Sequence, residues 1–278
     1  MTATLDALIA ENQRLRRALT ICEQQLRAIE RSRWWRIHPR RLVGRLASVP
    51  SPASTAGGHR RPAVSPAKLA ATAPTDDPSL ASFAEDVMVH GTFTQDWVTS
   101  RFVHWRPVLE TLEGRAAQIL EIGSYEGLST CYLLWRLPQV SITCIDTFSG
   151  IPEEAGGPSR PLESTFDANV ALVDALRVTK LVGDSKRRLL DLAADDRRFD
   201  LVYVDGSHLG LDVLVDAALA WQLLVPNGVA VFDDYRWDYL GDDPLLRPRE
   251  AIDAFCTVVA GKHEVVFAND QLALRRVA

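Results

Sequence analysis

Residues 118–127, which read QILEIGSYEG, decide the fold of this chain. The run from Gln118 to Ile122 is mostly apolar, as is typical of a strand buried on both faces of a sheet. Gly123 and Gly127 follow it and allow the backbone to turn sharply and to approach a ligand closely. A helical pattern then begins, and its first N–H groups would point toward such a ligand. The stretch therefore predicts a strand, a glycine turn and a helix that together border a binding site.

Short apolar runs alternate with helical patterns through the rest of the chain. The predicted strands are 118–123, 141–148, 178–184, 200–206 and 229–235, and the predicted helices are 127–137, 164–176, 186–195, 210–224 and 249–260. This alternation predicts a parallel sheet with helices on both faces. Two last apolar runs, 263–269 and 271–277, are separated only by Asp270 and predict an antiparallel hairpin at the edge of the sheet. We therefore predict an α/β, Rossmann-like sheet of five parallel strands plus a C-terminal antiparallel hairpin.

Acidic and hydroxyl-bearing side chains follow the next two predicted strands. Asp146 ends the second strand about 20 residues past the glycine turn, where a carboxylate can accept hydrogen bonds from ribose hydroxyls. Asp184 and Ser185 follow the third strand and could meet the edge of an adenine ring. A NAD(P)-binding domain is the competing interpretation, but its usual G-x-G-x-x-G pattern is absent because residue 125 is Tyr.

Five segments together resemble the class I S-adenosylmethionine-dependent methyltransferases. They are EIGSYEGLST, CIDTF, VGDS, DLVYVDGSH and LVPNGVAVFDDY, which occur in the order of that family within about residues 90–278. The likeness is greatest to the "methyltransferase 24" type, which is related to the macrocin O-methyltransferase group. It implies that S-adenosylmethionine is the cofactor and assigns the following residues to it. Glu121, Gly123, Ser124 and Gly127 would border its methionine part, Asp146 would hold the ribose, and Asp184 and Ser185 would flank the adenine.

Three aspartates are predicted to gather at the ends of adjacent strands: Asp205 after the fourth strand, and Asp233 and Asp234 after the fifth. Without basic neighbours such carboxylates would repel each other unless a cation lay among them, and oxygen ligands favour Mg²⁺ or Ca²⁺. The resemblance implies the same, since O-methyltransferases of the macrocin and catechol types bind a divalent ion with acidic residues. We therefore expect Mg²⁺, or another divalent cation, on these three residues. The alternative is that Asp233 and Asp234 only cap the turn after the strand.

His208 lies three residues after Asp205 and is the first candidate for a catalytic base. The ordinary pKa of histidine suits the removal of a proton from an acceptor hydroxyl near neutral pH. Asp205 is the rival candidate for that base. Methyl transfer itself is an in-line displacement, so the protein mainly supplies alignment and a deprotonated nucleophile.

The acceptor is predicted to be a hydroxyl of a sugar or glycan. The long Gly/Pro-rich loop 149–163 would cover it, and Trp237 and Tyr239 offer flat faces suited to sugar rings. The run SRWWRIHPRRL also resembles a segment of bacterial glycosyltransferases that build surface polysaccharides, which favours polysaccharide biosynthesis. The alternatives are a macrolide or phenolic acceptor, a metal hydroxylase-like protein on the same fold, and a non-enzymatic scaffold with a decayed methyltransferase fold.

Composition divides the chain into a basic arm and an acidic body. The net charge is -5, yet residues 1–61 hold twelve arginines and no lysine against four acidic residues. We expect three parts, namely an arm at 1–47, a disordered Pro/Ala/Ser linker at 48–79 and the methyltransferase domain at 80–278. The four cysteines are far apart and no export signal is evident, so we expect a cytoplasmic protein with reduced thiols. No nucleic-acid partner is predicted.

The arm itself predicts self-association and membrane contact. Within 5–29, the apolar side chains follow an unbroken heptad pattern with Asn12 at a seam position, which is typical of a parallel coiled coil. A single amphipathic helix packed on its own body is the alternative. The following residues 31–46 alternate arginines with Trp34, Trp35 and aliphatic side chains, as suits an anionic membrane surface. A solvated basic helix end is the alternative there. We expect a homo-oligomer at the inner face of the cell membrane.

Overall fold

The computed structural model describes residues 78–150, 161–237 and 243–277. The predicted coiled coil at 5–29, the basic segment 31–46 and nearly all of the linker 48–79 lie outside these residues and stay predictions. The same holds for most of the loop 149–163 and for Tyr239. The first helix begins at Pro78, two residues before the domain boundary that we placed at residue 80.

The described residues form seven strands and seven α-helices joined by short 3₁₀ turns. The strands are β1 (Gln118–Ile122), β2 (Ser141–Asp146), β3 (Val178–Val182), β4 (Phe199–Val204), β5 (Leu224–Phe232), β6 (His263–Ala268) and β7 (Leu272–Arg276). The α-helices are α1 (Pro78–Phe83), α2 (Arg106–Leu109), α3 (Leu128–Arg136), α4 (Leu162–Ala171), α5 (Ser185–Ala194), α6 (Gly210–Leu223) and α7 (Pro248–Val258). A π-helical turn at Ala84–Met88 and 3₁₀ helices at Thr99–His104, Ala175–Arg177 and Pro244–Leu246 complete the elements.

The sheet has the strand order β3-β2-β1-β4-β5-β7-β6. Strands β1 to β5 pair in parallel, while β7 pairs antiparallel with both β5 and β6. The predicted α/β architecture with a C-terminal hairpin is confirmed. Strand β5 begins at Leu224, five residues earlier than predicted, because Leu224 pairs with Phe199 before a register shift. The polar stretch 226–228 interrupts the apolar pattern there and hid the start of the strand.

Two apolar layers, one on each face of the sheet, explain why the strands are apolar at successive positions. Ile119 of β1 packs in one layer with α3, α4 and the segment that precedes β1. Leu120 and Ile122 of the same strand pack in the other layer with α5, α6 and α7. Helices therefore cover both faces, as the near-continuous apolar runs predict.

The carboxyl ends of the five parallel strands lie side by side, because their backbone pairing continues one residue past the strands. The bonds run from Gly183 N to Asp146 O, Gly123 N to Ile145 O, Asp205 N to Ile122 O and Asp233 N to Val204 O, at 2.8–2.9 Å. The winding of the sheet reverses between β1 and β4, which is where open α/β sheets bind ligands. Within the part of the chain that the structure describes, no helix is both long and apolar enough to cross a membrane.

Candidate active site

The glycine turn after β1 lies at this reversal point. Gly123 has a φ of 84°, and a Cβ at this position would lie 2.0 Å from the carbonyl oxygen of Asp205. Gly127 also has a φ of 84°, and a Cβ there would lie 3.0 Å from the ring of Phe166. Both glycines are therefore required by the backbone, the first by close approach to the end of β4. The turn directs the N-terminus of α3 toward the carboxyl edge of the sheet.

Glu121 is fully buried and anchors this turn from below. Its carboxylate accepts hydrogen bonds from the hydroxyls of Ser124 at 2.6 Å and Ser129 at 2.6 Å, and also from Thr130. Burial raises the pKa of Glu121, and the three hydroxyls oppose that rise. The side chains of Glu121 and Ser124 thus bond to each other inside the protein, which leaves their backbone atoms for contact with a ligand.

Asp146 at the end of β2 binds the glycine turn directly. Its Oδ2 accepts the backbone N–H groups of Ser124 at 2.7 Å and Tyr125 at 2.8 Å, and its Oδ1 accepts that of Phe148 at 2.6 Å. A carboxylate offers about four acceptor positions, so Asp146 has one left for a ligand hydroxyl. The structure therefore brings Asp146 together with the glycine turn, as the sequence predicts.

Asp184 and Ser185 occupy the start of α5, beside the end of β2. Asp184 is the N-cap residue, and its Oδ1 accepts the N–H of Arg187 at 3.2 Å. The hydroxyl of Ser185 donates to Oδ1 of Asp216 in α6, at 2.8 Å. The side chains of Asp184 and Ser185 thus both have partners within the protein. Asp184 is exposed and follows Gly183, whose backbone N–H donates to the carbonyl oxygen of Asp146.

Asp205 and Asp233 share one buried phenol between β4 and β5. Tyr203 is fully buried, and its hydroxyl lies 2.8 Å from Oδ2 of Asp205 and also contacts Oδ2 of Asp233. A phenol carries one proton and donates to one carboxylate at a time. Burial, and then the charges of Asp233 and Asp234, raise the pKa of Asp205 well above its ordinary value. Burial and the charge of Asp234 raise the pKa of Asp233 to about 6.

Arg101 is a basic neighbour of these aspartates that the sequence analysis missed. Its guanidinium pairs with Oδ1 of Asp233 and lies 3.5 Å from Oδ1 of Asp234. Our premise that the three aspartates lack a basic partner is therefore wrong. Arg101 comes from the 3₁₀ helix at Thr99–His104, far from the strand ends in sequence, so no local pattern could place it there.

His208, in the segment after β4, pairs with Asp234, which follows β5. Its Nε2 lies 2.9 Å from Oδ2 of Asp234, and its ring stacks on Trp237 with the ring centroids 4.4 Å apart. Burial opposes ionisation of Asp234, but His208 and Arg101 together hold the pKa of that carboxyl below its ordinary value. An ionised carboxylate is thus placed to orient the imidazole and to stabilise its protonated form.

The ligand atoms of Asp205, His208 and Asp234 all lie within 4.8 Å of one another, so this group could hold a metal ion. Asp233, which we predicted as a third carboxylate ligand, is not part of the group. Its carboxylate is turned toward Arg101, Tyr203 and Gln271. The geometry thus groups His208 with two of the three predicted aspartates, while the carboxylate of the third, Asp233, bonds to other partners.

Comparison with known proteins supports the fold and the family. Residues 120–235 match the model of a methyltransferase domain, Methyltransf_24. No curated protein sequence matches the chain significantly.

Three solved structures illustrate the shared fold. MycE, a methyltransferase from the mycinamycin biosynthetic pathway in complex with Mg, S-adenosylhomocysteine and mycinamycin VI, is 16% identical with a TM-score of 0.52, over 72% of this chain and 54% of its own. An O-methyltransferase from Bacillus cereus is 16% identical with a TM-score of 0.51, over 74% and 93%. TomG from Streptomyces achromogenes, of tomaymycin synthesis, is 20% identical with a TM-score of 0.50, over 73% and 91%.

This chain spans about half the length of MycE. The fold is shared with all three structures, and the matched family model runs from Leu120 in β1 to Tyr235 after β5, so it includes the strand-end residues from Gly123 to Asp234. Residues 120–235 are therefore similar to a methyltransferase domain of the Methyltransf_24 type, and the described residues share the fold of these three methyltransferases.

Proposed function

We propose that this domain transfers the methyl group of S-adenosylmethionine to a hydroxyl of a sugar or glycan. The observation that carries the proposal is the pair His208–Asp234, with Nε2 and Oδ2 2.9 Å apart, at the same edge of the sheet as the glycine turn. A base held by a carboxylate beside a cofactor site is what transfer to a weakly acidic hydroxyl needs.

The cofactor would lie across the ends of β1, β2 and β3. The backbone at Gly123, Ser124 and Gly127 would face its methionine part, because Gly123 allows close approach there and Glu121 holds the turn from below. Asp146 would accept a ribose hydroxyl at the remaining acceptor position of its carboxylate. Asp184 and Ser185 would lie beside the adenine, with Ser185 held by Asp216.

His208 would take the proton of the acceptor hydroxyl. When Nε2 donates to Asp234, the neutral ring carries its lone pair on Nδ1, and this nitrogen would accept the proton. S-adenosylmethionine, when bound, would supply the methyl group to the oxygen that His208 deprotonates. Asp234 stabilises the imidazolium that results, while Trp237 restricts the ring by stacking.

A divalent cation would fit the carboxylates of Asp205 and Asp234. These oxygens lie within 4.8 Å of each other and of His208. Burial, and then the charges of Asp233 and Asp234, raise the pKa of Asp205, and a bound cation would oppose that rise. When bound, such a cation would lower the pKa of the acceptor hydroxyl. We propose Mg²⁺ for this role, with Asp205 and Asp234 as ligands and His208 kept as the base.

An aromatic surface supports a ring-shaped acceptor. Trp97 is 45% exposed and packs against Tyr125 of the glycine turn, with ring centroids 5.3 Å apart. Together with Trp237 it offers flat faces near the site, of the kind on which sugar rings stack. The alternative acceptor is a natural product, which is favoured by the pathways of MycE and TomG.

Incubation of the full chain with labelled S-adenosylmethionine and a panel of glycans and macrolides, with and without EDTA, tests the proposal. Label on a glycan hydroxyl supports it, and label on macrolides only would favour the alternative acceptor. No transfer to any hydroxyl, with S-adenosylmethionine still bound, would refute O-methylation of these acceptors. Transfer that survives EDTA would remove the cation from the mechanism and leave His208 as the base.

A further inference from the structure

We infer that Arg101 is an internal counter-cation of this site, which keeps Asp233 from binding the metal and thereby limits how tightly the site binds a divalent cation. The inference rests on the cation site of the proposed function. It concerns a residue outside the matched domain at 120–235, on the segment that precedes β1.

Packing fixes Arg101 in its position. The next residue, Phe102, is buried and stacks on Tyr132 of α3, with ring centroids 3.9 Å apart and an interplanar angle of 3°. Trp105 is fully buried, and its indole N–H donates to Gln271 at 2.7 Å. Buried neighbours therefore hold the backbone at Arg101, and its guanidinium extends from there to the strand ends.

Asp233 has at most one acceptor position left for a cation. Its Oδ1 accepts Arg101 and the backbone N–H of Asp234 at 2.7 Å. Its Oδ2 contacts the hydroxyl of Tyr203 and accepts the amide of Gln271 at 3.0 Å. Three of these groups always donate to Asp233 and occupy three of the roughly four acceptor positions of a carboxylate, and Tyr203 occupies the fourth when its one proton points to Asp233. Asp205, by contrast, accepts at most one side-chain hydrogen bond among the described residues, from Tyr203.

The positive charge of Arg101 also disfavours binding of a metal ion. The guanidinium lies 3.5 Å from Oδ1 of Asp234, which is one of the proposed metal ligands. A positive charge at that distance, partly shielded from water, repels a second cation on the same carboxylate. Arg101 should therefore weaken metal binding twice, by occupying Asp233 and by repelling the metal at Asp234.

The test measures the affinity of the full chain for Mn²⁺ by electron paramagnetic resonance and by calorimetry. Arg101→Met should bind Mn²⁺ at least about tenfold more tightly than the wild type, because the positive charge is removed and Asp233 is freed. Arg101→Lys keeps the charge and should stay within about threefold of the wild type. The double variant Arg101→Met/Asp233→Asn removes a neutral pair, so its affinity should also stay within about threefold.

Asp234→Asn removes a proposed metal ligand and is the control for loss of Mn²⁺ binding. Binding of S-adenosylhomocysteine verifies that each variant is folded. Equal or weaker binding by folded Arg101→Met would overturn the inference. So would a loss of tenfold or more in the double variant, because Asp233 would then be a ligand in the wild type. Absence of Mn²⁺ binding in all these proteins would also overturn it, whereas methyl transfer is judged separately by the labelled assay in EDTA.

Discussion

Gly123 and Asp205 meet where the winding of the sheet reverses, and a Cβ on Gly123 would lie 2.0 Å from the carbonyl oxygen of Asp205. The atom in the way is backbone, so it cannot rotate aside as a side chain could. This contact holds the glycine turn against the end of β4, which Asp205 and, three residues on, His208 follow. The distance between the proposed cofactor site and the proposed base thus depends on the absence of a side chain at Gly123.

Gly123→Ala should therefore destabilise the protein by more than about 3 kcal/mol, because the backbones at the ends of β1 and β4 must separate. Gly114→Ala is the matched control, since Gly114 has a φ of 69° but no atom within 4 Å of an added Cβ. It should cost about 1–2 kcal/mol, for the left-handed conformation alone. Urea unfolding measures both variants, and similar losses for the two would show that the contact with Asp205 carries no energy.

Asp146→Ala should weaken binding of S-adenosylhomocysteine by about 1.5–3 kcal/mol, as for loss of charge-assisted hydrogen bonds. Part of the loss arises in the turn itself, because the N–H groups of Ser124 and Tyr125 lose their acceptor. Asp167→Ala, an exposed carboxylate of α4, is the control and should bind normally. Calorimetry decides the matter: unchanged affinity in Asp146→Ala, or tighter binding of NAD by the wild type, would contradict the assignment.

Local patterns were enough to predict the sheet and the positions of the strand-end residues. Each strand carries its own apolar run, and the carboxyl ends of parallel strands share one edge whatever the loops do. Asp146, Asp205 and His208 could therefore be placed at that edge from their position in the chain alone. The orientation of their side chains could not, because it depends on partners distant in sequence.

Arg101, Tyr203 and Gln271 show what local patterns leave out. Arg101 reaches Asp233 across 132 residues of sequence, and Gln271 reaches it from the turn between β6 and β7. Tyr203 had a usable signal, because it precedes Asp205 by two residues and so lies on the same face of β4. These three residues decide which aspartates stay available to a cation, and this is why the predicted ligand set and the observed grouping differ.

His208→Gln should lower kcat by about a hundredfold or more, since an amide cannot take the proton of the acceptor. Its affinity for Mn²⁺ should stay within about threefold of the wild type if Asp205 and Asp234 are the ligands, because both carboxylates remain. Trp237→Leu removes the ring that stacks on His208 and should lower kcat less, because the imidazole remains. Parallel losses of Mn²⁺ affinity and of kcat in His208→Gln would make His208 a ligand, and Asp205 would then become the candidate base.

Asp216 makes the stability of the domain dependent on pH. It is 1% exposed, its Oδ1 accepts the hydroxyl of Ser185, and burial raises its pKa from 3.8 to about 7 against the opposing effects of Ser185 and Lys186. The folded state thus holds a proton that the unfolded chain has already released. The stabilisation that protonated Asp216 contributes is fully present below about pH 4 and is lost as the pH rises toward 7.

Between pH 5 and pH 8 the wild type should lose about 2–3 kcal/mol relative to Asp216→Asn, which cannot ionise and keeps an oxygen for Ser185. The difference should build up between pH 5 and 7 and stay constant above that range, because both states are then ionised. Asp195→Asn, at an exposed position after α5, should follow the wild type at every pH. Urea unfolding across this range measures the three proteins. Parallel curves for wild type and Asp216→Asn would mean that Asp216 is ionised in the folded domain at pH 5, with Lys186 and Ser185 stabilising its charge.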